Sequence, residues 1–127
     1  MMADWGAAYK PRDDEEDRLQ IAVAGHVEAR LSPNAIAYHC PNGGKRSIKV
    51  AQKLKRMGVL AGVADWCLVL PDGSAAYLEL KSKDGVLSLG QKEFKARCEL
   101  IGVPYVVSRN LDHALMTLEA WGVIRGY

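Results

Sequence analysis

The sequence predicts an α/β fold, a mixed β-sheet sandwiched between helices. Two observations carry that prediction. Segments with apolar residues at three- and four-residue spacing alternate with short apolar runs of strand length. Gly, Pro, Asn and Ser punctuate the joins between them. The resulting order is helix, strand, helix, strand, strand, helix, strand, helix, which suits a layered α/β sandwich. A chain of 127 residues makes one domain, large enough to bury a core without disulfide or metal staples. Residues 1–12 read as a loose N-terminal leader, and residues 13–127 as the single domain.

Each element has a local reason. From Asp13 to Leu31, Leu19, Ala22, Val23, His26 and Val27 recur at helical spacing, with acids at the positive end of the helix dipole. Ser32-Pro33-Asn34 stops this helix, and Ala35 to Cys40 reads as a strand. Pro41-Asn42-Gly43-Gly44 forms a loop before a helix from Arg46 to Met57, which Gly58 ends. Val50, Ala51, Leu54 and Met57 form the apolar stripe of that helix, and Arg46, Lys49, Lys53 and Arg56 another face. Two apolar strands follow within Asp65–Lys81, joined by a tight turn at Pro71-Asp72-Gly73-Ser74. Asp84-Gly85 leads to a helix from Ser88 to Ile101, with Ser88 as cap and Phe94, Cys98 and Ile101 facing inward. Pro104 to Ser108 is a strand. Asn110 caps a last helix with Leu111, Leu115 and Leu118 on one side.

Composition narrows the class. Apolar content of 49% and charged content of 25% are ordinary for a globular domain. No apolar run approaches a membrane span, and the N-terminus lacks the pattern of a secretory signal. Cys40, Cys67 and Cys98 are odd in number and far apart, which suggests neither a zinc site nor a disulfide framework. They read as buried reduced thiols of a cytoplasmic protein. The net charge of +2 hides an asymmetry. Asp4, Asp13, Asp14, Glu15, Glu16 and Asp17 crowd the start, whereas no acid occurs between Glu28 and Asp65. That interval holds Arg30, Lys45, Arg46, Lys49, Lys53, Lys55 and Arg56, a local positive patch of the kind a phosphate-binding surface needs. The competing reading is a solvated helix face. Gly43-Gly44-Lys45-Arg46 before a helix is a natural phosphate site, but it lacks the spacing of a nucleotide-binding loop. Trp5, Trp66 and Trp121 do not interleave with the basic residues, so no base-stacking platform is indicated.

The densest chemistry lies in the predicted hairpin. Glu79 and Lys81 are two apart on its second strand, so they leave the same face, while Leu78 and Leu80 point to the other. Asp65 opens the first strand and can lie beside Glu79. Paired carboxylates are natural ligands of Mg²⁺, and a nearby lysine can position a water and offset developing negative charge. Together these are the groups of metal-assisted phosphodiester hydrolysis. Glu-x-Lys alone is a weak motif whose bland reading is a surface ion pair.

The wider pattern resembles the VRR-NUC domain (virus-type replication-repair nuclease) of the PD-(D/E)xK nuclease superfamily. The likeness rests on Gly58-Val59, Gly62-Val63-Ala64-Asp65, Leu78-Glu79-Leu80-Lys81, Leu87-Ser88 with Gln91, and Gly102-Val103-Pro104. Glu16-x-x-Leu19-Gln20 fits the first helix of that family, and Pro41-Asn42-Gly43-Gly44 its second connection. Ala64 stands where the family has a proline, which shapes backbone and holds no metal. The resemblance spans about residues 13 to 121 and implies a restriction-endonuclease-like core. It implies Mg²⁺ or Mn²⁺ held by Asp65, Glu79 and the backbone carbonyl of Leu80, with Glu16 as a supplementary ligand or water holder. Glu15 is close enough in phase to serve instead. Lys81 would position the attacking water, and Gln91 would touch the scissile phosphate or orient Lys81. His39 can be catalytic but reads better as structural, as do His26 and His113. The implied product keeps its 5′-phosphate, and the implied substrate is DNA, branched or flapped, in a bacterial or phage-infected cell; the two-fold symmetry of a four-way junction is most simply met by a homodimer. The apolar stripe Leu111, Leu115, Leu118 and Trp121, or the leader with Trp5, can supply the dimer surface, though core packing is the commoner fate of such a stripe. Lys45, Arg46, Lys49, Lys53 and Arg56 are the expected DNA contacts. The alternatives are a non-catalytic DNA-binding module with a nuclease fold and a restriction-type endonuclease.

Overall fold

The structure, a computed structural model, describes residues 14–41 and 47–126. The expected leader with Trp5, the Gly43-Gly44 loop, Lys45 and Arg46 lie outside the described residues. Among the described residues, eight elements follow the expected order. They are α1 (Asp14–Arg30), β1 (Ile36–His39), α2 (Ile48–Arg56), β2 (Trp66–Val69), β3 (Ala75–Leu80), α3 (Leu89–Ile101), β4 (Tyr105–Ser108) and α4 (Leu111–Ala120).

The sheet order is β1-β2-β3-β4. β1, β2 and β3 run antiparallel, and β4 lies parallel to β3. The β2–β3 turn closes because Gly73 takes φ +86° and Asp72 Oδ1 accepts the Ser74 N–H at 2.9 Å. The parallel β3–β4 pair needs a crossover, and α3 supplies it.

Alternation along the strands sorts the two faces. Trp66, Leu68, Ala76, Leu78 and Leu80 face α1 and α4, forming the core with Leu19, Val23, Val27, Ala114, Leu118, Val123 and Ile124. Leu78 and Leu80 are fully buried, as their position beside Glu79 and Lys81 predicts. The opposite face carries Cys67, Tyr77 and Glu79 and is covered in part by α3. Phe94 of α3 meets Tyr77 edge-on, with ring centroids 4.9 Å apart. Arg30 is buried at the end of α1, ion-paired with Glu119 and donating from Nε to the Arg125 carbonyl at 2.8 Å. That pair ties α1 to the C-terminal segment.

Two expectations fail. Ile101 does not face inward but is 74% exposed. α3 ends there because Gly102 turns left-handed (φ +79°), and its inward side is already filled by Phe94 and Cys98. α2 buries no side chain, and Val50 and Met57 of its apolar stripe are exposed. α1 and α4 cover one face of the sheet and α3 covers part of the other, while Ile36 and Tyr38 of β1 stay exposed, so α2 does not pack on the sheet. Its half-buried Ala51 and Leu54 instead line a cavity of about 680 Å³ with Val59, Leu60, Gly62 and Gly90. The apolar stripe on α4 meets the commoner of its two fates and packs into the core. Leu118 is fully buried, and Leu111, Leu115 and Trp121 pack against the same core. A single layer of α4 and α1 must seal that face, which consumes the stripe.

Candidate active site

The β2–β3 register sets the site. Trp66 lies opposite Leu78, which places Asp65, one residue earlier, across from Glu79. The two residues then bond across the strands. The Asp65 N–H donates to Glu79 Oε1 at 3.1 Å, and Asp65 Oδ2 accepts the Leu80 N–H at 2.8 Å. Both side chains are deep, with Asp65 8% and Glu79 1% exposed. Lys81 Nζ stands 3.5 Å from Glu79 Oε2 and is itself largely buried.

α3 contributes from the other side of the cleft. Ser88 and Gln91 form a capping box: Ser88 Oγ accepts the Gln91 N–H at 3.2 Å, and Gln91 Oε1 accepts the Ser88 N–H at 2.8 Å. This fixes the Gln91 amide so that Nε2 donates to Glu79 Oε2 at 3.0 Å. Gln91 therefore orients Glu79, rather than Lys81 as the sequence suggests. Gly62 explains how α3 comes so close. It holds φ +86°, and a Cβ built there would lie 2.2 Å from the Gly90 carbonyl oxygen. Only glycine lets the segment leading to Asp65 pack on the first turn of α3.

The acids of α1 divide their work. Glu15 Oε2 accepts the Lys83 N–H at 3.0 Å, anchoring the loop after β3. Glu16 lies close enough to Glu79 for its charge to raise that carboxyl's pKa. Of the two candidates for the upstream acid, Glu16 is the one whose field reaches the pair. Among the described residues no three or more His, Cys, Asp or Glu side chains gather into one metal-ligand cluster. The convergent side-chain donors are the two carboxylates of Asp65 and Glu79, with the Leu80 backbone running between Glu79 and Lys81.

Electrostatics single out Glu79. Its pKa is pushed up from 4.5 to about 8, first by burial and then by the Asp65 charge. The Lys81 ammonium and the Asp65 N–H oppose the rise, and Glu16 adds to it. Buried acids in mutual repulsion form a donor set that a divalent cation suits, because the cation offsets the charge that burial penalises. The residues present therefore fit Mg²⁺ or Mn²⁺ by their chemistry.

The remaining candidates sort by position. Lys49, Lys53 and Arg56 are exposed on α2, next to the undescribed Lys45 and Arg46. His39 Nδ1–H donates to the Asp65 carbonyl at 2.8 Å, which ties the end of β1 to the start of β2. His26 contacts Arg30 and His113 contacts Ser108. Sequence reasoning missed two contributors. Arg109 Nη1 reaches the carbonyls of Ser82 at 2.9 Å, Lys83 at 3.3 Å and Gly85 at 2.6 Å, clamping the loop that follows Lys81. Tyr105 has a buried hydroxyl with no hydrogen-bond partner among the described residues. Burial raises its pKa, and the charges of Glu79 and Asp65 raise it further. Neither residue forms a local motif, so only strand pairing reveals them.

Among the described residues, a four-stranded mixed sheet flanked by helices, with carboxylates at the β2–β3 end, makes an α/β sandwich. No family model matches the sequence, and no curated protein matches it. Solved structures do. One named "VRR_NUC domain protein" superposes with a TM-score of 0.69 at 20% identity, covering 91% of this chain and 100% of that one. Another, named "VRR_NUC domain", gives a TM-score of 0.57 at 18% identity over 84% of this chain and 97% of that one. The chain thus has the fold of a VRR-NUC domain, as the sequence resemblance implies.

Proposed function

We propose that this protein is a metal-dependent DNA nuclease that hydrolyses phosphodiester bonds in branched DNA. One observation carries the proposal. Asp65 and Glu79 lie buried side by side, with Glu79 held near pKa 8 and the Lys81 ammonium 3.5 Å away. A surface ion pair would leave all three groups in water, whereas here burial raises the cost of each charge until a cation or substrate is bound.

Asp65, Glu79 and the Leu80 carbonyl would hold Mg²⁺ or Mn²⁺, with Glu16 beside them. The metal, when bound, would supply a Lewis acid for the phosphate and a more acidic bound water. Lys81 would hold the attacking water and offset negative charge gathering on the phosphate oxygens. Gln91 would keep Glu79 oriented through its 3.0 Å hydrogen bond. The Arg109 clamp would fix the backbone just beyond Lys81. Lys49, Lys53 and Arg56, with Lys45 and Arg46, would bind phosphates without regard to sequence.

Branched DNA is the substrate we favour because resolving a four-way junction takes two symmetric cuts. Its two-fold symmetry is most simply met by a two-fold homodimer. The interface would lie away from the α4 stripe, which the core uses. The test is a cleavage panel of linear, flapped and four-way DNA with Mg²⁺, Mn²⁺ and Ca²⁺, on wild type and Asp65→Ala, Glu79→Ala and Lys81→Ala. Cleavage should need Mg²⁺ or Mn²⁺ and vanish in the two carboxylate variants, while DNA binding survives. Lys81→Ala should slow turnover on the order of a hundredfold or more. Wild-type rates in Lys81→Ala would overturn the mechanism. A strict monomer that nicks one strand would overturn the junction assignment in favour of flaps.

A further inference from the structure

Cys40 and Cys67 are distant in sequence but adjacent in space. Cys40 follows β1 and donates its backbone N–H to the Asp65 carbonyl at 2.7 Å, so it stands across from Asp65. Cys67 sits two residues along β2, paired with Tyr38. Cys40 and Cys67 are thus diagonal neighbours on one face of the antiparallel pair. Their sulfurs are 3.0 Å apart, about 1 Å longer than a disulfide bond. Cys67 is buried and Cys40 is partly exposed, so Cys40 is the residue of the pair nearer to solvent. Cys98, also buried, lies on α3 and makes no such contact with either.

We propose that Cys40 and Cys67 form a redox-modification site, a dithiol that a peroxide converts to an intramolecular disulfide. The Cys40 sulfur attacks one peroxide oxygen, breaking the O–O bond and releasing water, and becomes a sulfenic acid. The Cys67 sulfur then displaces the sulfenic hydroxyl, which leaves as a second water with the Cys67 proton. Two thiols lose two electrons, and one peroxide is reduced to two waters. A dithiol reductant reverses the bridge by exchange. The crosslink would tie the end of β1 to β2 two residues beyond Asp65. It depends on neither the metal nor the nuclease reading.

The test treats the full-length wild-type chain with hydrogen peroxide, followed by thiol counting in denaturant and non-reducing peptide mass mapping. The expected result is the loss of two of the three thiols and one peptide pair linked Cys40–Cys67, lighter by two hydrogens. Cys98 should stay free, and dithiothreitol should restore all thiols. Cys98→Ser should bridge as wild type does, and Cys40→Ser should form no internal bridge. A bridge to Cys98, a disulfide between chains, or Cys40 oxidised to sulfinic acid with Cys67 still a thiol would each overturn the proposal. So would survival of all thiols in the folded chain when the denatured chain oxidises.

Discussion

The buried Glu79 carboxyl makes a stability prediction that needs no substrate. The perturbation is pH, applied to metal-free wild type and to Glu79→Gln. In the folded chain Glu79 keeps its proton up to about pH 8, whereas the unfolded value is 4.5. Between those values the folded state binds more protons than the unfolded state, so stability falls as pH rises. The contribution is complete below about pH 4.5 and lost by the time the pH passes about 8. At about 1.4 kcal/mol per tenfold in proton affinity, that gap sets a ceiling on the order of 5 kcal/mol. Even about 2 kcal/mol would move the melting temperature by roughly 8 °C in a domain of this size. Thermal melting with a chelator should therefore show wild type losing stability from pH 5 to pH 8 relative to Glu79→Gln. The substituted amide keeps the shape of the carboxyl and cannot ionise, so the difference between the two curves isolates this group. Added Mg²⁺ or Mn²⁺ should raise the wild-type melting temperature most at the alkaline end, where the cation need not displace a proton. Parallel curves for the two proteins would refute the account of Glu79. So would a cation effect equal in both proteins.

Three further outcomes follow from the same geometry. Gly62→Ala should cost roughly 1–3 kcal/mol, because its φ of +86° and the 2.2 Å approach to Gly90 leave no room for a methyl; cleavage should fall as Gln91 is pushed from Glu79, and an unchanged melting temperature would contradict the packing. Arg109→Ala should lower turnover more than DNA affinity by freeing the Ser82–Gly85 loop, with about 1 kcal/mol lost in stability for this exposed clamp; equal losses in affinity and turnover would point to a direct DNA contact instead. Replacing Lys49, Lys53 and Arg56 by alanine should reduce the salt dependence of DNA binding by about one unit of slope per lost contact, and an unchanged slope would mark α2 as merely solvated.

The sequence by itself determined the order of elements and the central pair of the candidate site. Helical and strand periodicities are local, and the tight turn at Asp72-Gly73 fixes a register that puts Asp65 across from Glu79. The alternation that sends Leu78 and Leu80 into the core sends Glu79 to the other face. Tertiary structure decided what depends on layers meeting. Whether α2 or α4 would bury its apolar stripe was not legible, because both stripes are adequate and only tertiary packing decides which one meets the sheet. Which upstream acid reaches the site depended on how α1 lies against the loop after β3, which gave Glu15 to the Lys83 N–H and left Glu16 near Glu79. Gln91 turned to Glu79 because Gly62 and Gly90 let α3 approach. Arg109, Tyr105 and the Cys40–Cys67 contact belong to no motif. Each arises where segments far apart in the chain are brought together by strand pairing, and spacing along a sequence carries no record of such distances.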